Sequence, residues 1–253
     1  MRIPALLLIF CLSLFGCVNA TSVQSDSKPV NHDPFTSLLK KHVDSNGMVN
    51  YKGFIADSVE FNKYLTTLEK NHPNTKNWSK DERLAYWINA YNAFTIRLII
   101  RNYPVKSIKD LAGSIYRVNT PWDIKFIQIE GETYDLNNLE HSIIRKEFVE
   151  PRIHFALVCA AFSCPKLRNE AFTAKNLDAQ LEDQAMHFFN SSSRNKITAD
   201  APKVSPLMKW YSGDFKNAAP SIPAYINKYS KTKIKEGVEL EYMDYSWDLN
   251  EQK

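Results

Sequence analysis

Glycine is scarce in this chain, with seven residues in 253. A glycine-rich phosphate cradle is improbable on so small a supply, and neither a G-x-G-x-x-G nor a G-x-x-x-x-G-K-[ST] string occurs. Runs of like charge are also missing. The 32 Lys and Arg and 28 Asp and Glu leave a formal charge of +4 and are scattered along the chain. A nucleic-acid binder gathers its basic residues on one stripe, so no nucleic-acid partner is expected. No internal repeat or low-complexity tract occurs. Cysteine is limited to Cys11, Cys17, Cys159 and Cys164. None of the spacings is Cys-x-x-Cys, which argues against a thiol–disulfide redox protein.

What is present suits one globular domain. The 44% hydrophobic and 24% charged content is ordinary, and the length allows a sizeable core without metals or many disulfides. The first 20 residues, MRIPALLLIFCLSLFGCVNA, carry Arg2, an apolar run from Ala5 to Phe15 and then small residues. This pattern reads as a secretory signal peptide, its apolar run too short for a bilayer-spanning helix of roughly 20 residues. Two processing sites compete. Val18-Asn19-Ala20 fits small-x-small cleavage and is favoured, while Leu14-Phe15-Gly16-Cys17 resembles a lipobox and would tether the protein through a lipidated Cys17. The expected location is the periplasm or outside the cell, with no transmembrane span in the mature chain. Only Cys159 and Cys164 then remain in the folded body. Residues 21–32 read as a polar linker, and residues 33–250 as the domain.

Asp33-Pro34 starts a helix with Phe35, Leu38 and Leu39 on one face. Ser45-Asn46-Gly47 reads as a turn, and Val59 to Leu68 as a second amphipathic helix. The strongest helix signal runs from Ser79 to Tyr103. Ser79-x-x-Glu82 forms a capping box, apolar residues repeat at three and four from Leu84 to Ile99, and Pro104 ends the run. Ile124–Ile129 and Glu132–Tyr134 around Glu130-Gly131 predict a β-hairpin, and Asp135 a cap for the next helix. Ile153–Ala160 (IHFALVCA) is continuous and apolar, the pattern of a strand buried on both faces. A helix from about Ala174 to Phe189 and an alternating strand near Val238–Tyr245 complete the reading. These elements predict an α+β domain: a central buried helix, a small mixed or antiparallel sheet and surrounding helices, with a papain-like or transglutaminase-like arrangement as one form it could take.

The chain resembles the DUF547 family. The resemblance is carried by LAYWINAYNAF (Leu84–Phe94), the Leu-x-x-x-Glu-His helix (Leu136–His141), and the His-Phe-Ala-Leu-Val-Cys run leading to Ser-Cys-Pro (His154–Pro165). Trp210-Tyr211 with Asp214-Phe215, and the tail Tyr242–Asn250, add to it; in the tail Asp and Ser are exchanged around Trp247. The resemblance implies exported bacterial relatives and no particular reaction.

Cys164 is the leading candidate for chemistry. Pro165 favours a first helical position, which would put the sulfur at a helix N-terminus where N–H groups stabilise a thiolate. A helix terminus supplies about 0.3 to 1 kcal/mol, whereas lowering a thiol pKa by two units takes roughly 2.7 kcal/mol, so an imidazole must contribute most of the rest. His154 and His141 are the candidate bases. Glu140 joins the candidate set, although adjacent helical residues diverge by about 100° and it is not placed to orient His141 directly. Asn89 and Asn92, three apart on the central helix, are candidates to orient the imidazole or to donate to an oxyanion. The expected reaction is thiol-dependent hydrolysis or acyl transfer on peptide-like substrates.

The alternative is a non-catalytic protein or peptide interaction domain with a structural Cys159–Cys164 disulfide. In that reading His154 is a core histidine, and Asn89 and Asn92 fasten the central helix to the strands. A metal site on His154, Cys159 and Cys164 is awkward, because one extended strand would point His154 and Cys159 to opposite faces. No metal or cofactor is expected.

Overall fold

The structure, a computed structural model, describes residues 25–112 and 119–253. The expected signal peptide, with Cys11 and Cys17, and residues 21–24 of the expected linker lie outside the described residues. Helices α1 (Asp33–His42), α2 (Tyr51–Ala56) and α3 (Ser58–Glu69) precede the long α4 (Lys80–Arg101). A hairpin follows, β1 (Ile127–Ile129) with β2 (Glu132–Tyr134), then a π-helical turn (Asn138–Ile144) running into α5 (Arg145–Glu147) and a 3-10 turn (Pro151–Phe155). Helix α6 (Leu177–Phe189), strand β3 (Lys203–Val204), helices α7 (Leu207–Trp210), α8 (Ser212–Ala218) and α9 (Ile222–Tyr229), and strand β4 (Glu241–Tyr242) complete the α+β architecture.

Helix α4 is the centre of the main core. The Ser79 hydroxyl accepts from Glu82 N and the Glu82 carboxylate accepts from Ser79 N, closing the capping box expected from the sequence. Every residue from Leu84 to Ile96 is buried, on all faces of the helix. A helix enclosed all round must be interior, and burying each of Trp87, Tyr91 and Phe94 contributes about 1.5–3 kcal/mol. Phe35 stacks on Tyr64 at 4.8 Å between α1 and α3. In the hairpin, Ile127 and Ile129 are buried and Gln128 is exposed. Glu130 and Gly131 both take positive φ, 47° and 86°, as a two-residue hairpin turn of this hand requires. Gly47, in the expected Ser-Asn-Gly turn, also has positive φ (80°), and a Cβ there would collide with the Lys166 and Leu167 backbone.

The segment Ile153–Ala160 is buried but is not a strand. Pro151 starts a 3-10 turn through Phe155, and the chain then runs irregularly past Cys159. Amides of neighbouring helices satisfy backbone groups that a sheet partner would otherwise pair. Asn92 Nδ2 donates to Ala156 O and Asn92 Oδ1 accepts from Val158 N, both at 2.9 Å. Gln184 Nε2 donates to Phe155 O at 2.8 Å. The expected strand at Val238–Tyr245 shrinks to Glu241–Tyr242, paired in parallel with Lys203–Val204.

Part of the expected linker is held against the body. Trp78 Nε1 and Asn74 Nδ2 each donate to Ser27 O at 3.0 Å, and His32 Nδ1 lies 2.8 Å from the Tyr64 hydroxyl. A second core gathers Phe155, Phe188, Phe189, Phe215 and Tyr225 beneath α6, α8 and α9. The stretch from Ile153, in the first core, to Phe155, in the second, joins the two. Among the described residues no helix is long and apolar enough to cross a membrane.

Candidate functional site

A cavity of about 250 Å³ opens where the two cores meet. Its wall takes Tyr91 from α4, Glu140 and His141 from the π-helical turn, and Trp210 and Tyr211 at the end of α7. His154, Leu157, Cys159 and Cys164 come from the segment that joins the cores, and Tyr245 and Trp247 from the C-terminal tail. Thr120, Trp122 and Asn137 close the rim. The tail is positioned by Asn250, whose N–H donates to Ala160 O at 3.0 Å and whose side chain accepts from the Tyr51 hydroxyl at 2.6 Å.

Glu140 and His141 both line the cavity from the π-helical turn. Its wider coil reduces the angular step between neighbours, so both side chains reach one cavity, and such turns are frequent at functional sites. The two do not bond: Glu140 Oε1 is 4.0 Å from His141 Nδ1. Glu140 is buried and interacts instead with the hydroxyls of Tyr91 and Tyr211, whose pKa values burial and this carboxylate hold well above the usual phenol range. His141 Nδ1 lies 3.0 Å from Arg145 Nη1.

Asp214 organises the charges beside the cavity. It accepts from Arg145 Nε and Nη2, each at 2.8 Å, and meets His154 Nε2 at 2.7 Å. The hydrogen bonds from His154 and Arg145 hold the Asp214 carboxyl well below the usual range. His154 is buried, stacked on Tyr211 at 3.8 Å and edge-on to Phe215 at 5.5 Å. Burial pushes its pKa down, with Asp214 pulling in the other direction, so the ring is neutral and its Nε2–H donates.

Cys164 is not at a helix N-terminus. No helix begins at Pro165, so the dipole argument for a thiolate falls; the Cys164 N–H instead closes a turn onto Ala161 O at 3.0 Å. Its sulfur is bonded to that of Cys159. The Tyr245 hydroxyl lies 3.1 Å from Cys164 Sγ and 3.5 Å from Cys159 Sγ.

Of the expected site residues, the fold brings Cys164, His154, His141 and Glu140 to one cavity. Asn89 and Asn92 are directed elsewhere. Asn89 bonds Phe172 N and O at 2.9 and 2.8 Å, and Asn92 bonds the Ala156–Val158 backbone, so neither amide is committed to an imidazole. Asp214 and the aromatic wall escaped the sequence reading. Their signal was the pair Trp210-Tyr211 and Asp214-Phe215, set apart as a motif but without a role. Among the described residues no group of three or more His, Cys, Asp or Glu could hold a metal ion.

Residues 75–189 match the model of a family described as protein of unknown function, DUF547, which bears out the resemblance read from the sequence. The matched stretch includes the four expected cavity residues and ends before Trp210, Tyr211, Asp214 and the tail. No curated protein and no solved structure matches the chain.

Proposed function

We propose that the DUF547 domain of this chain is an exported, non-catalytic binding domain that holds a peptide or protein ligand by a side chain in the cavity, braced by the Cys159–Cys164 disulfide. The observation that carries this reading is the bond between the two sulfurs in the cavity wall. A disulfide sulfur has no thiolate to act as a nucleophile. The commitment of Asn89 and Asn92 to backbone groups supports it, as does a wall rich in Trp and Tyr, the residues that dominate binding energy at recognition sites. The volume of about 250 Å³ is below the range of roughly 300–1,000 Å³ typical of small-molecule pockets and suits one side chain. A persistent disulfide also agrees with export.

The test is selection of peptides from a display library on the oxidised protein, counter-selected on a Trp210→Ala/Trp247→Ala variant. Peptides are expected that need the intact cavity and that mass spectrometry recovers uncleaved. Finding none, or finding them cut, overturns the reading.

A thiol-dependent hydrolase or acyl transferase is the second reading, favoured by one observation: the disulfide shares its cavity with His141 and with the hydrogen-bonded His154–Asp214 pair. Here a dithiol reductant gives two electrons and two protons to the disulfide and is itself oxidised. Cys164 then passes its proton to His154 or His141 and attacks the carbonyl carbon. A C–S bond forms, the bond to the leaving group breaks as the imidazolium protonates that group, and water or an acceptor nucleophile cleaves the thioester. Iodoacetamide labelling of the reduced protein between pH 5 and 9 is then expected to give Cys164 an apparent pKa well under 8, with peptide cleavage abolished by Cys164→Ala. A thiol titrating near its ordinary value of about 8.5 overturns this reading.

A further inference from the structure

We infer that the ligand group taken by the cavity is a cation, a protonated amine or guanidinium, and that Glu140 is its counter-charge. This rests on the binding reading above and names the chemistry of its ligand. Among the described residues that line the cavity there is no Lys, no Arg and no carboxylate besides Glu140. Arg145 is paired through two bonds with Asp214. Guanidinium has no acceptor, so in the 3.0 Å contact with Arg145 Nη1 it is His141 Nδ1 that accepts. His154 is enclosed and donates to Asp214. Glu140, only 6% exposed, is thus the one carboxylate among the described residues that line the cavity.

The Tyr91 and Tyr211 hydroxyls interact with Glu140, and neither brings a charge that would cancel it. A carboxylate offers about four acceptor sites, so two donors leave room for a ligand N–H. The rings of Trp122, Trp210, Tyr245 and Trp247 line the cavity, and aromatic rings attract cations to their faces. The protein itself already places an ammonium on one of them, with Lys109 Nζ 4.3 Å from the centroid of the Trp247 ring. An anionic ligand would meet Glu140 with no Lys or Arg among the described residues that line the cavity to answer it, and a purely apolar one would desolvate the carboxylate without a bond in return.

The test uses three probes of similar size, the N-methylamides of Nα-acetyl-lysine, Nα-acetyl-norleucine and Nα-acetyl-glutamate, titrated calorimetrically and by tryptophan fluorescence. The lysine probe is expected to bind about 10-fold more tightly than the norleucine probe, with the glutamate probe weakest. Glu140→Gln should lower the lysine-to-norleucine ratio from about 10 to about 3 or less, the ring faces accounting for what preference remains. Should Glu140→Gln fail to fold, Trp210→Leu serves, since this ring is 49% exposed. That variant should weaken the lysine probe about 3-fold or more through loss of the ring face. Equal binding of lysine and norleucine, or preference for glutamate, overturns the cation and leaves the binding reading standing. If no probe binds while display selection still yields cavity-dependent peptides, the cation again falls alone; if selection fails too, both fall.

Discussion

The Tyr245 hydroxyl donates to Cys164 Sγ at 3.1 Å, so the C-terminal tail is fastened to the same sulfur that closes onto Cys159. The bridge and the tail therefore support one wall of the cavity. Both cysteines fall in a single tryptic peptide, Ile153–Lys166, whose mass should rise by two hydrogens on reduction. The loop is short, so the chain-entropy contribution of the bridge is about 2 kcal/mol. Cys159→Ala/Cys164→Ala should lower the unfolding free energy by that amount in urea, and dithiothreitol should do the same to the parent protein. An unchanged peptide mass on reduction would show two free thiols and remove the premise of the binding reading.

Asn92 replaces a neighbouring strand for the segment beneath the cavity. Its amide satisfies Ala156 O and Val158 N, both buried with it. Asn92→Ala leaves two backbone groups unpaired at about 1–3 kcal/mol each, so a loss of about 2 to 6 kcal/mol is expected. Asn92→Asp should be at least as damaging, because the carboxylate turns an oxygen toward Ala156 O. Urea midpoints decide it. A change under about 0.5 kcal/mol, the size of an ordinary surface substitution, would show that these groups find other partners.

The contrast between these segments shows what local pattern conveys. The capping box of α4, the hairpin at Ile127–Tyr134 and the helix ending at Phe189 are written in neighbouring residues, where caps, alternation and periodicity apply. Ile153–Ala160 carries the burial of a central strand without its geometry. Its backbone partners, Asn92 and Gln184, lie on other helices and leave no local trace. The same holds for the site. Cys164 and His154 could be singled out by residue type, but Asp214 meets His154 across 60 residues. Likewise, the π-helical turn that brings Glu140 and His141 to one cavity reads in sequence as an ordinary helix.

His32 should make the fold sensitive to mild acid. Burial against Tyr64 lowers its pKa from the ordinary 6.5 to about 4. In the unfolded chain the imidazole takes up its proton near 6.5, while the folded protein resists until about 4. The stabilisation is therefore present above pH 6.5 and lost as pH falls through that window, by roughly 3 kcal/mol over the whole span. A His32→Gln variant should lack this slope, so the stability difference between the two proteins should shrink between pH 6.5 and 4. A constant difference across those values would mean that His32 titrates normally.

Asp214 governs the state of His154, and the direction can be read from their contacts. His154 Nε2 and two guanidinium nitrogens of Arg145 all donate to this one carboxylate. Asp214→Asn keeps the shape but supplies a single acceptor oxygen to three donors. A loss of about 2 kcal/mol is expected, moderated by the partial exposure of the pair. The carboxyl is held below its ordinary value, so its contribution in the parent protein persists above about pH 4 and disappears as pH falls below it. The variant should lose less stability across that acid limb. Asp214 also raises the His154 pKa against the lowering by burial. In the variant the His154 ring resonances should therefore titrate at lower pH still, followed by NMR. A His154 titration that does not move would mean that the 2.7 Å contact carries no charge coupling, and the imidazole of the second reading would lose its orienting partner.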